Sequence, residues 1–388
     1  MGVYMKIVHL CLGNFFIDGG SYQENMLTKY HSKMGYDVTV IASLFSYNNQ
    51  GVGTLLDHAT EYINPDGVKV VRLDYIHPRK YGRFTKKYKG LAAALKKESP
   101  NIIFCHNLQF GGTGIVSKYL KANPSVVLYA DNHGDYVNSA RNWLSLNLKH
   151  RIMWKYYVNK LVPYLTKYYG VTPMRCNFLK EVYDINPELI EFLPMGVDDD
   201  AIPGNKEEVR SIIRKELSIS DDEIIIMTGG KLELRKNPQY LYEAFETLNN
   251  SRIHLVVCGT FTPEVESLRS KMESDRNIHL LGWCDSTRVM NVMVASDFVC
   301  FPGTHSTLWE QAVGLGLPAI FKYWKDIDHV NVNGNCIFVK GDDVKEIADA
   351  IHILAKKENY DHYKSLANKA STGFLYSNIA KKAIGQSV

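Results

Sequence analysis

Residues 301–318 read FPGTHSTLWEQAVGLGLP, and they decide the fold that the sequence predicts. An apolar run that ends at Phe301 indicates a buried strand, and a loop of Gly, Thr and Ser leads into a short helical pattern that stops before Pro318. The first N–H groups of such a helix are free to bind phosphate oxygens. Glu310 lies one turn into the helix, where a carboxylate can accept hydrogen bonds from two neighbouring ribose hydroxyls. The stretch therefore predicts a strand, loop and helix that bind a nucleotide, and a solvated surface acid is the alternative interpretation of Glu310.

Strand-like and helix-length segments alternate on both sides of this stretch. The strand-like runs are residues 6–10, 37–42, 69–73, 101–105, 126–129, 224–228, 254–258, 279–281, 298–301, 319–321 and 336–339. Such alternation predicts right-handed βαβ units and an α/β fold with parallel sheets. A chain of 388 residues exceeds the size at which one hydrophobic core stops growing, so we expect two domains. The Pro, Gly and Asn of residues 201–205 are typical of a linker, and they separate an N-terminal domain over 1–200 from a C-terminal domain over 201–371.

The composition is that of an ordinary folded protein, with 45% apolar and 22% charged residues and a net charge of +4. No run of about 18 apolar residues appears, and residues 1–12 read as a first strand rather than as a signal peptide. We therefore expect a cytoplasmic protein. The seven cysteines, at 11, 105, 176, 258, 284, 300 and 336, form no Cys-x-x-Cys pair and are expected to be reduced.

A second glycine turn, in residues 228–238 (TGGKLELRKNP), brings cations to the end of a strand. Lys231 and Lys236 can both reach one anion, and the glycines let backbone approach a phosphate closely. The combination predicts a diphosphate site, although exposed lysines after a strand are more often simply solvated. A similar turn in residues 19–25 (GGSYQEN) opens a helix that is predicted to end at Gly35.

In this order and spacing, the motifs resemble the GT-B-fold retaining glycosyltransferases of family 4 over nearly the whole chain. The matching segments are residues 19–20, 35–40, 132–135, 193–198, 230–231, 236–238, 281–283, 295–297, 310–312 and 316–318. The resemblance implies two Rossmann-like domains that face each other across a cleft, with a C-terminal helix, about residues 372–388, crossing back to the N-terminal domain. The N-terminal domain is then expected to bind the acceptor, and the C-terminal domain a nucleotide diphospho-sugar, with a UDP-sugar favoured.

The resemblance also assigns roles to single residues. Lys231 and Lys236 are expected to neutralise the diphosphate, and Glu310 matches the second Glu of the Glu-x7-Glu motif, the ribose ligand. His133 matches the His that contacts the donor sugar near its C6 hydroxyl and the reacting centre. These four residues are the predicted catalytic group. The remaining predicted donor-binding residues are Gly19, Gly20, Gly230, Trp283, Thr304, His305, Ser306, Thr307 and Leu308.

The chain departs from the family at the first Glu of that motif. Counting back from Glu310 places this residue at Pro302, and no acid occurs between Asp297 and Glu310. The contact that normally orients the sugar ring is therefore missing or replaced. His305 is the predicted replacement, with Thr304 and Ser306 supplying further hydrogen bonds, and a loop histidine without a role is the alternative.

Neither a metal ion nor a cofactor is expected, since the nucleotide-sugar is a substrate. Residues 198–200 are three consecutive Asp, which is tempting as a metal-binding triplet, but they follow the predicted hinge and are interpreted as solvated or capping acids. No His and carboxylate cluster has the spacing of a zinc site or a facial triad.

Two segments combine cations with aromatic side chains. Residues 78–97 carry eight Lys or Arg and no acid, and residues 147–169 repeat the mixture. This composition suits the interface of an anionic membrane, and an ordinary solvated basic face is the alternative. Because many members of the family act on lipid-linked acceptors, we expect peripheral contact with the inner face of the cell membrane. Nucleic acid is not an expected partner, because no nucleic-acid fold signature accompanies the basic residues.

The leading hypothesis is a retaining, metal-independent hexosyl- or N-acetylhexosaminyltransferase that extends a glycan or lipid-linked glycan in surface polysaccharide synthesis. A catalytically silent GT-B protein that binds a nucleotide or a partner enzyme is one alternative. A UDP-sugar 2-epimerase is another, although the carboxylates that it needs cannot be placed. A dehydrogenase is disfavoured because no Gly-x-Gly-x-x-Gly follows a strand.

Overall fold

A computed structural model describes residues 5–47 and 53–387 and divides the chain into two compact units. The N-terminal unit comprises Met1–Pro194 together with Ile379–Val388, and the C-terminal unit comprises Met195–Asn378. The divisions thus fall at Pro194 rather than at the predicted residue 200, and at Asn378 rather than at residue 371. No helix within the described ranges combines the length and the apolar character that crossing a membrane requires.

The N-terminal unit is built on a sheet of eight strands. The strands of the unit are β1 (Lys6–Cys11), β2 (Asp37–Ser43), β3 (Phe45–Tyr47), β4 (Gly53–Leu55), β5 (Thr60–Ile63), β6 (Lys69–Leu73), β7 (Ile102–His106), β8 (Val127–Asn132), β9 (Leu165–Gly170) and β10 (Ile190–Phe192). The order in the sheet is β10-β9-β8-β7-β1-β2-β6-β5, and every pairing is parallel except that of β5 with β6. Strands β3 and β4 form a separate antiparallel pair. The five strands predicted from the sequence in this unit are confirmed.

Six α-helices accompany these strands. They are α1 (Gln23–Lys33), α2 (Arg79–Thr85), α3 (Leu91–Glu98), α4 (Thr113–Ala122), α5 (Lys155–Val158) and α6 (Pro173–Tyr183). A ten-residue π-helix, Ser145–Trp154, runs directly into α5. Helix α6 begins where its sequence dictates, because Thr172 accepts a hydrogen bond from the Arg175 N–H and Pro173 occupies the first helical position.

The C-terminal unit has a six-stranded sheet that is parallel throughout. Its strands are β11 (Ile224–Leu232), β12 (Ile253–Phe261), β13 (Ile278–Gly282), β14 (Phe298–Phe301), β15 (Ala319–Lys322) and β16 (Cys336–Val339), in the order β13-β12-β11-β14-β15-β16. Its helices are α7 (Lys206–Leu217), α8 (Pro238–Leu248), α9 (Glu266–Glu273), α10 (Ser286–Ala295), α11 (Thr307–Gly314), α12 (Val344–Ala355) and α13 (Lys357–Ala370). All six strands were predicted, and the strand and helix of the quoted stretch are β14 and α11.

The last helix, α14 (Tyr376–Ala383), leads the chain into the N-terminal unit. The carbonyl of Ala380 accepts a hydrogen bond from His31 Nε2 at 2.8 Å, and the carbonyl of Ile384 accepts one from the Tyr129 hydroxyl at 3.1 Å. The end of the chain is therefore part of the N-terminal unit, as the resemblance implies.

Each sheet has one point at which the order of its strands reverses. In the N-terminal unit this point lies between β1 and β7, and in the C-terminal unit it lies between β11 and β14. Loops that leave the carboxyl ends of the two strands diverge there, and ligands of open α/β sheets bind in the resulting crevice. The two crevices hold the side chains that matter for function.

Candidate functional site

The glycine turn after β11 forms one wall of the crevice in the C-terminal unit. A Cβ atom on Gly229 would lie 2.3 Å from the carbonyl oxygen of Cys258, and Gly230 has a φ of +94°, which side chains disfavour. Glycine is therefore required at both positions for the backbone to turn beside β12. The next residue, Lys231, has an exposed side chain at the mouth of the turn.

Hydrogen bonds join this turn to the loop that follows β14. The Lys236 ammonium donates to the carbonyls of Thr304 and His305, at 2.6 and 3.2 Å, and the Thr304 N–H donates to the carbonyl of Arg235 at 2.8 Å. A Cβ atom on Gly303 would lie 2.2 Å from Lys236 Cα, so the two loops are in direct backbone contact. Burial lowers the pKa of Lys236 to about 8. Lys236 thus holds the loop after β14 in place through two of its N–H groups, and the third N–H group remains for a ligand.

Helix α11 begins against the glycine turn. Ser306 precedes it in an extended conformation without a side-chain cap, and the Leu308 side chain lies 3.7 Å from the position that a Cβ atom on Gly230 would occupy. The N–H groups of a first turn have no partner within the helix, so this end attracts anions. The structure therefore brings together Gly230, Thr304, Ser306, Thr307 and Leu308, and their role in donor binding stays a prediction.

Glu310 lies inside the fold rather than at its surface. Its side chain is 0% exposed, and Oε1 accepts hydrogen bonds from His305 Nε2 at 2.6 Å and from His329 Nε2 at 2.9 Å. The two imidazoles hold the pKa of the carboxyl well below its usual range, although burial opposes them. Oε2 is buried and has no hydrogen-bond partner. Two protein imidazoles thus occupy Oε1, and the role of Glu310 as a ribose ligand stays a prediction.

Gln311 was missed by the sequence analysis. Residues three apart share one side of a helix, so Gln311 lies on the side of Leu308 and the glycine turn, whereas Glu310 is about 200° away from Leu308 around the axis. The side chain of Gln311 is partly exposed. The three-residue spacing of Leu308 and Gln311 places them on one side of the helix, but the sequence analysis followed the family motif, which has a carboxylate at the position of Glu310.

In the N-terminal unit, four buried polar residues form one hydrogen-bonded chain that runs from the Ala380 carbonyl to Asp131, which lies beside His133. His31 Nδ1 lies 3.0 Å from His9 Nε2, His9 Nδ1 lies 3.0 Å from His106 Nε2, and His106 Nδ1 lies 2.7 Å from Asp131 Oδ2. Asp131 Oδ1 lies 3.4 Å from His133 Nε2. The side chains of His9, His31, His106 and Asp131 are 0% exposed. The chain crosses the boundary between β1 and β7.

The polarity of this chain fixes its protons. A carbonyl only accepts, so His31 Nε2 carries a proton, and in neutral rings Nδ1 of His31 and then Nδ1 of His9 are acceptors. Burial lowers the pKa of both rings, that of His31 to about 4, which keeps them neutral. His106 then donates from Nε2 to His9, and its Nδ1 lies beside the Asp131 carboxylate. The chain therefore ends on a buried carboxylate directly behind His133.

Asp131 in turn acts on His133. The Asp131 carboxylate and Glu24 raise the pKa of His133 above its usual value, although burial opposes them. His133 follows the last residue of β8, and its backbone N–H donates to Asn107 Oδ1 at 2.9 Å. His133 is thereby held at the crevice with a protonated ring favoured.

A pocket opens in front of His133, and residues of both predicted membrane-binding segments line part of it. Its lining includes Arg83 and Lys86 from the first basic segment and Lys149 and His150 from the second. No acid is among the described residues that line it. Composition marked these cations but carried no signal that they would converge.

The other predicted residues lie apart from these contacts. Gly19 has a φ of +72°, and Gly20 is in the turn before α1, where its N–H donates to the carbonyl of Ile17 at 3.0 Å. The side chain of Trp283 is 76% exposed after β13. Asp198 Oδ1 accepts a hydrogen bond from the Asp200 N–H at 3.2 Å, so the first of the three acids caps a short 3-10 helix.

Two groups of described side chains could offer three ligand atoms to a metal ion. One is Glu24 with His106 and His133, and the other is Glu310 with His305 and His329. Both ring nitrogens of His106 are already engaged, and the distances around Glu310 are those of N–H donors on a carboxylate. Hydrogen bonding accounts for both groups, and metal independence stays a prediction.

Two open, mostly parallel sheets, each with one reversal point in its strand order, are the two Rossmann-like sheets of a GT-B fold. A family model described as "Glycosyltransferase Family 4" matches residues 18–201, and one described as "Glycosyl transferases group 1" matches residues 209–372. The chain belongs to the glycosyltransferases of this type.

Solved structures share the fold along the whole chain. HepE from Anabaena, in complex with UDP and glucose, is 14% identical with a TM-score of 0.67, and the match covers 98% of both chains. WaaG, a glycosyltransferase of lipopolysaccharide biosynthesis, is 15% identical with a TM-score of 0.66 over 97% of this chain and 98% of WaaG. A putative UDP-N-acetylglucosamine 2-epimerase from Listeria monocytogenes is 14% identical with a TM-score of 0.64 over 98% and 95%. At these identities the likeness concerns the fold alone. A search of curated proteins found no match.

Proposed function

We propose that this protein is a retaining glycosyltransferase that transfers a hexose or N-acetylhexosamine from a UDP-sugar to a glycan or lipid-linked glycan in surface polysaccharide synthesis. The observation that carries the proposal is the crevice between β11 and β14, where the Gly230 turn, Lys231 and the start of α11 converge. Backbone N–H groups and a lysine at a helix start suit a diphosphate. The UDP bound by HepE favours uridine as the base.

The proposed chemistry depends on charge rather than on a protein nucleophile. As the bond between the anomeric carbon and the diphosphate breaks, its electrons pass to the diphosphate. Lys231, the remaining donor of Lys236 and the first turn of α11 stabilise the growing charge. The acceptor hydroxyl attacks the face that the diphosphate leaves, and a phosphate oxygen takes its proton. No carboxylate pair of the glycosidase type is then required.

Two histidines are proposed to contact the sugar. His305 is held by Glu310 through Nε2 and lies at the start of α11, where it replaces the missing first Glu of the family motif. His133 is held by Asp131, and the family resemblance alone proposes it as the second sugar ligand. Glu310 and Asp131 are in this proposal positioning residues, because each acts through the imidazole that it holds.

Incubation with a panel of UDP- and GDP-sugars tests the proposal. We expect release of UDP from one UDP-sugar, accelerated by a suitable acceptor, with the anomeric configuration of the product retained by NMR. Tight binding of UDP without turnover on any donor and acceptor would favour the catalytically silent alternative. Conversion of a UDP-N-acetylhexosamine into its 2-epimer would identify an epimerase instead.

We also propose peripheral contact with an anionic membrane at the inner face of the cell membrane. The support is a row of exposed apolar side chains at intervals of four residues, Leu144, Leu148, Ile152 and Tyr156, which are 62%, 49%, 63% and 61% exposed. We call this row the apolar stripe. It lies on the π-helix and α5 and the residue before them, among the cations Lys149, Arg151 and Lys155. Apolar and cationic side chains on one helix are typical of interfacial binding.

A further inference from the structure

The pocket in front of His133 holds unpaired positive charge. Among its described lining residues, Arg83, Lys86 and Lys149 are cations and none is an acid. The two acids that act on His133 are themselves engaged, since Glu24 accepts a hydrogen bond from Asn14 and Asp131 accepts one from His106. Among the described residues, no acid in the lining neutralises the cations of this pocket.

A chain of hydrogen bonds leaves one donor of the pocket with incomplete hydrogen bonding. Asn132 Nδ2 donates to the Gly134 carbonyl, and Asn132 Oδ1 accepts from the Gly134 N–H, which fixes the orientation of the side-chain amide. The group of Asn132 that faces Gln109 Nε2 is therefore the acceptor Oδ1. Gln109 Nε2 therefore donates to Asn132 and to the Tyr183 hydroxyl, both at 3.1 Å. The hydroxyl thus accepts from Gln109 and gives its own proton to His150 Nδ1, 2.6 Å away. The proton of the neutral His150 ring must then be on Nε2.

His150 Nε2 is a buried N–H donor whose hydrogen bonding within the described residues is incomplete. The side chain is 3% exposed, and the Ser139 backbone interacts with the ring without completing a hydrogen bond to Nε2. Burial together with Lys149 and Lys86, opposed by the Ser139 carbonyl, lowers the pKa of His150 to about 4, in keeping with the neutral ring. Leaving a buried donor unsatisfied costs about 1–3 kcal/mol, so an acceptor from outside the protein stabilises the site.

Lys86 supplies a cation that is already partly desolvated. Its ammonium donates to the Gly13 carbonyl and lies 5.7 Å from the ring centre of Trp154. Burial and the neighbouring Lys149 lower its pKa to about 8, and no ion pair of Lys86 with an acid occurs within the described parts of the chain. An anion bound between Lys86 and Lys149 would relieve their repulsion.

We propose that this pocket binds a phosphate group of the acceptor through Lys86, Lys149, Arg83 and His150 Nε2. A phosphate offers several strong acceptor oxygens and a charge, which matches convergent ammonium, guanidinium and imidazole donors. The inference rests on the proposed transferase function and names its acceptor as a phosphorylated one. The apolar stripe shares its helix with Lys149 and His150, so the phosphate comes from a lipid-linked acceptor.

Calorimetric titration of the full-length protein, saturated with UDP to fill the donor site, tests the proposal. The probes are geranyl phosphate, geraniol and glucose 1-phosphate. We expect geranyl phosphate to bind, geraniol to bind at least about tenfold more weakly, and affinity to fall with ionic strength. Geranyl phosphate binding above glucose 1-phosphate supports the lipid source, and the reverse order supports a soluble phosphate in the same pocket. Equal binding of geranyl phosphate and geraniol overturns the proposal.

Variants connect the binding to this pocket. Arg83 and Lys149 are exposed, so Arg83→Ala with Lys149→Ala preserves the fold, and we expect a loss of at least about tenfold in affinity for geranyl phosphate. Lys96→Ala is the matched control, because Lys96 is an exposed cation of the first basic segment that does not line the pocket. Wild-type affinity in the double variant overturns the proposal. Phosphate binding without any turnover of UDP-sugars would instead contradict only the proposed function.

Discussion

At the scale of single residues, the histidines buried in the N-terminal unit couple its stability to pH. His31 is fully buried and neutral, and its pKa is lowered to about 4 from an ordinary value of 6.5. Between these pH values the His31 ring is protonated in the unfolded chain and neutral in the native protein. Stability therefore falls as pH falls from 6.5 to about 4, and His31 alone accounts for roughly 3 kcal/mol.

The test is thermal unfolding of the wild type and of His31→Gln at pH 7 and pH 5. We expect the wild type to lose more stability on acidification than the variant, because glutamine does not titrate. His352→Gln, which alters an exposed histidine of the C-terminal unit, serves as the control and should follow the wild type. Equal acid sensitivity of all three proteins would contradict the role given to His31.

Glu310 and Gln311 lie on different sides of α11, so variants of the two residues test separately which of them contacts UDP. We expect Gln311→Leu to weaken UDP binding by about tenfold, corresponding to the loss of one good hydrogen bond. Glu310→Gln should leave UDP affinity within about threefold and should lower kcat, because His305 loses the carboxylate that holds it. Calorimetry with UDP and steady-state rates with the preferred donor measure both.

A loss of UDP affinity in a folded Glu310→Gln that matched the loss in Gln311→Leu would return the ribose contact to Glu310. Circular dichroism identifies a folded variant. Trp283→Ala provides a further comparison, since the indole is exposed and was also predicted to bind the donor.

Single residues show where prediction from the sequence stops. The glycines at 229 and 230 and the lysine at 231 were predictable, because backbone turns and charged loops leave local patterns. Glu310 was placed on the correct helix but not in its environment, because the partner His329 is nineteen residues away in the chain and no local pattern announces it. His305 was predicted as a sugar ligand, and its bond to Glu310 depends on packing.

At the scale of elements, the π-helix Ser145–Trp154 brings two surfaces together. Lys149 and His150 line the phosphate pocket, whereas Leu148 and Ile152 belong to the apolar stripe. Helices with i→i+5 hydrogen bonds are rare and occur mainly at functional sites. The element thus links the pocket with the proposed membrane contact.

Removing the apolar stripe should separate membrane binding from catalysis. We expect Leu148→Ser with Ile152→Ser to reduce sedimentation with phosphatidylglycerol vesicles by about tenfold, because two exposed side chains no longer bury apolar area in lipid. Hydrolysis of the soluble UDP-sugar should be unchanged. Ile212→Ser, at a side chain 57% exposed on α7, is the matched control. Full vesicle binding by the double variant would contradict the membrane contact.

Elements differed in how readily the sequence revealed them. Buried parallel strands such as β11 and β12 are continuous apolar runs, and all of the predicted strands are present. Strands β9 and β10 were missed, because β9 mixes Thr and Lys with tyrosines and β10 has three residues with partly exposed side chains. Their place in the sheet depends on the pairing of β9 with β8 and of β10 with β9, which composition does not encode.

At the scale of the whole molecule, the two units repeat one design, since each has a parallel sheet with its ligand crevice where the strand order reverses. The two units differ in chain continuity, because the C-terminal unit is one continuous segment and the N-terminal unit has two. The N-terminal unit needs the last residues of the chain, which follow all of the C-terminal unit in sequence. The contact is extensive, because Ile379, Ala380, Ala383 and Ile384 are buried there.

Deletion of residues 379–388 should therefore unfold the N-terminal unit while sparing the other. Exposing two isoleucines costs about 1.5–3 kcal/mol each, and the hydrogen bonds to the carbonyls of Ala380 and Ile384 add about 1 kcal/mol each. The sum approaches the roughly 5–15 kcal/mol that stabilises a domain. We expect calorimetry of the truncated chain to lose the transition of the N-terminal unit, whereas UDP should still raise the melting temperature of the C-terminal unit. A truncated protein that kept both transitions would show that the terminal segment is dispensable, and loss of both would show that the units do not fold independently.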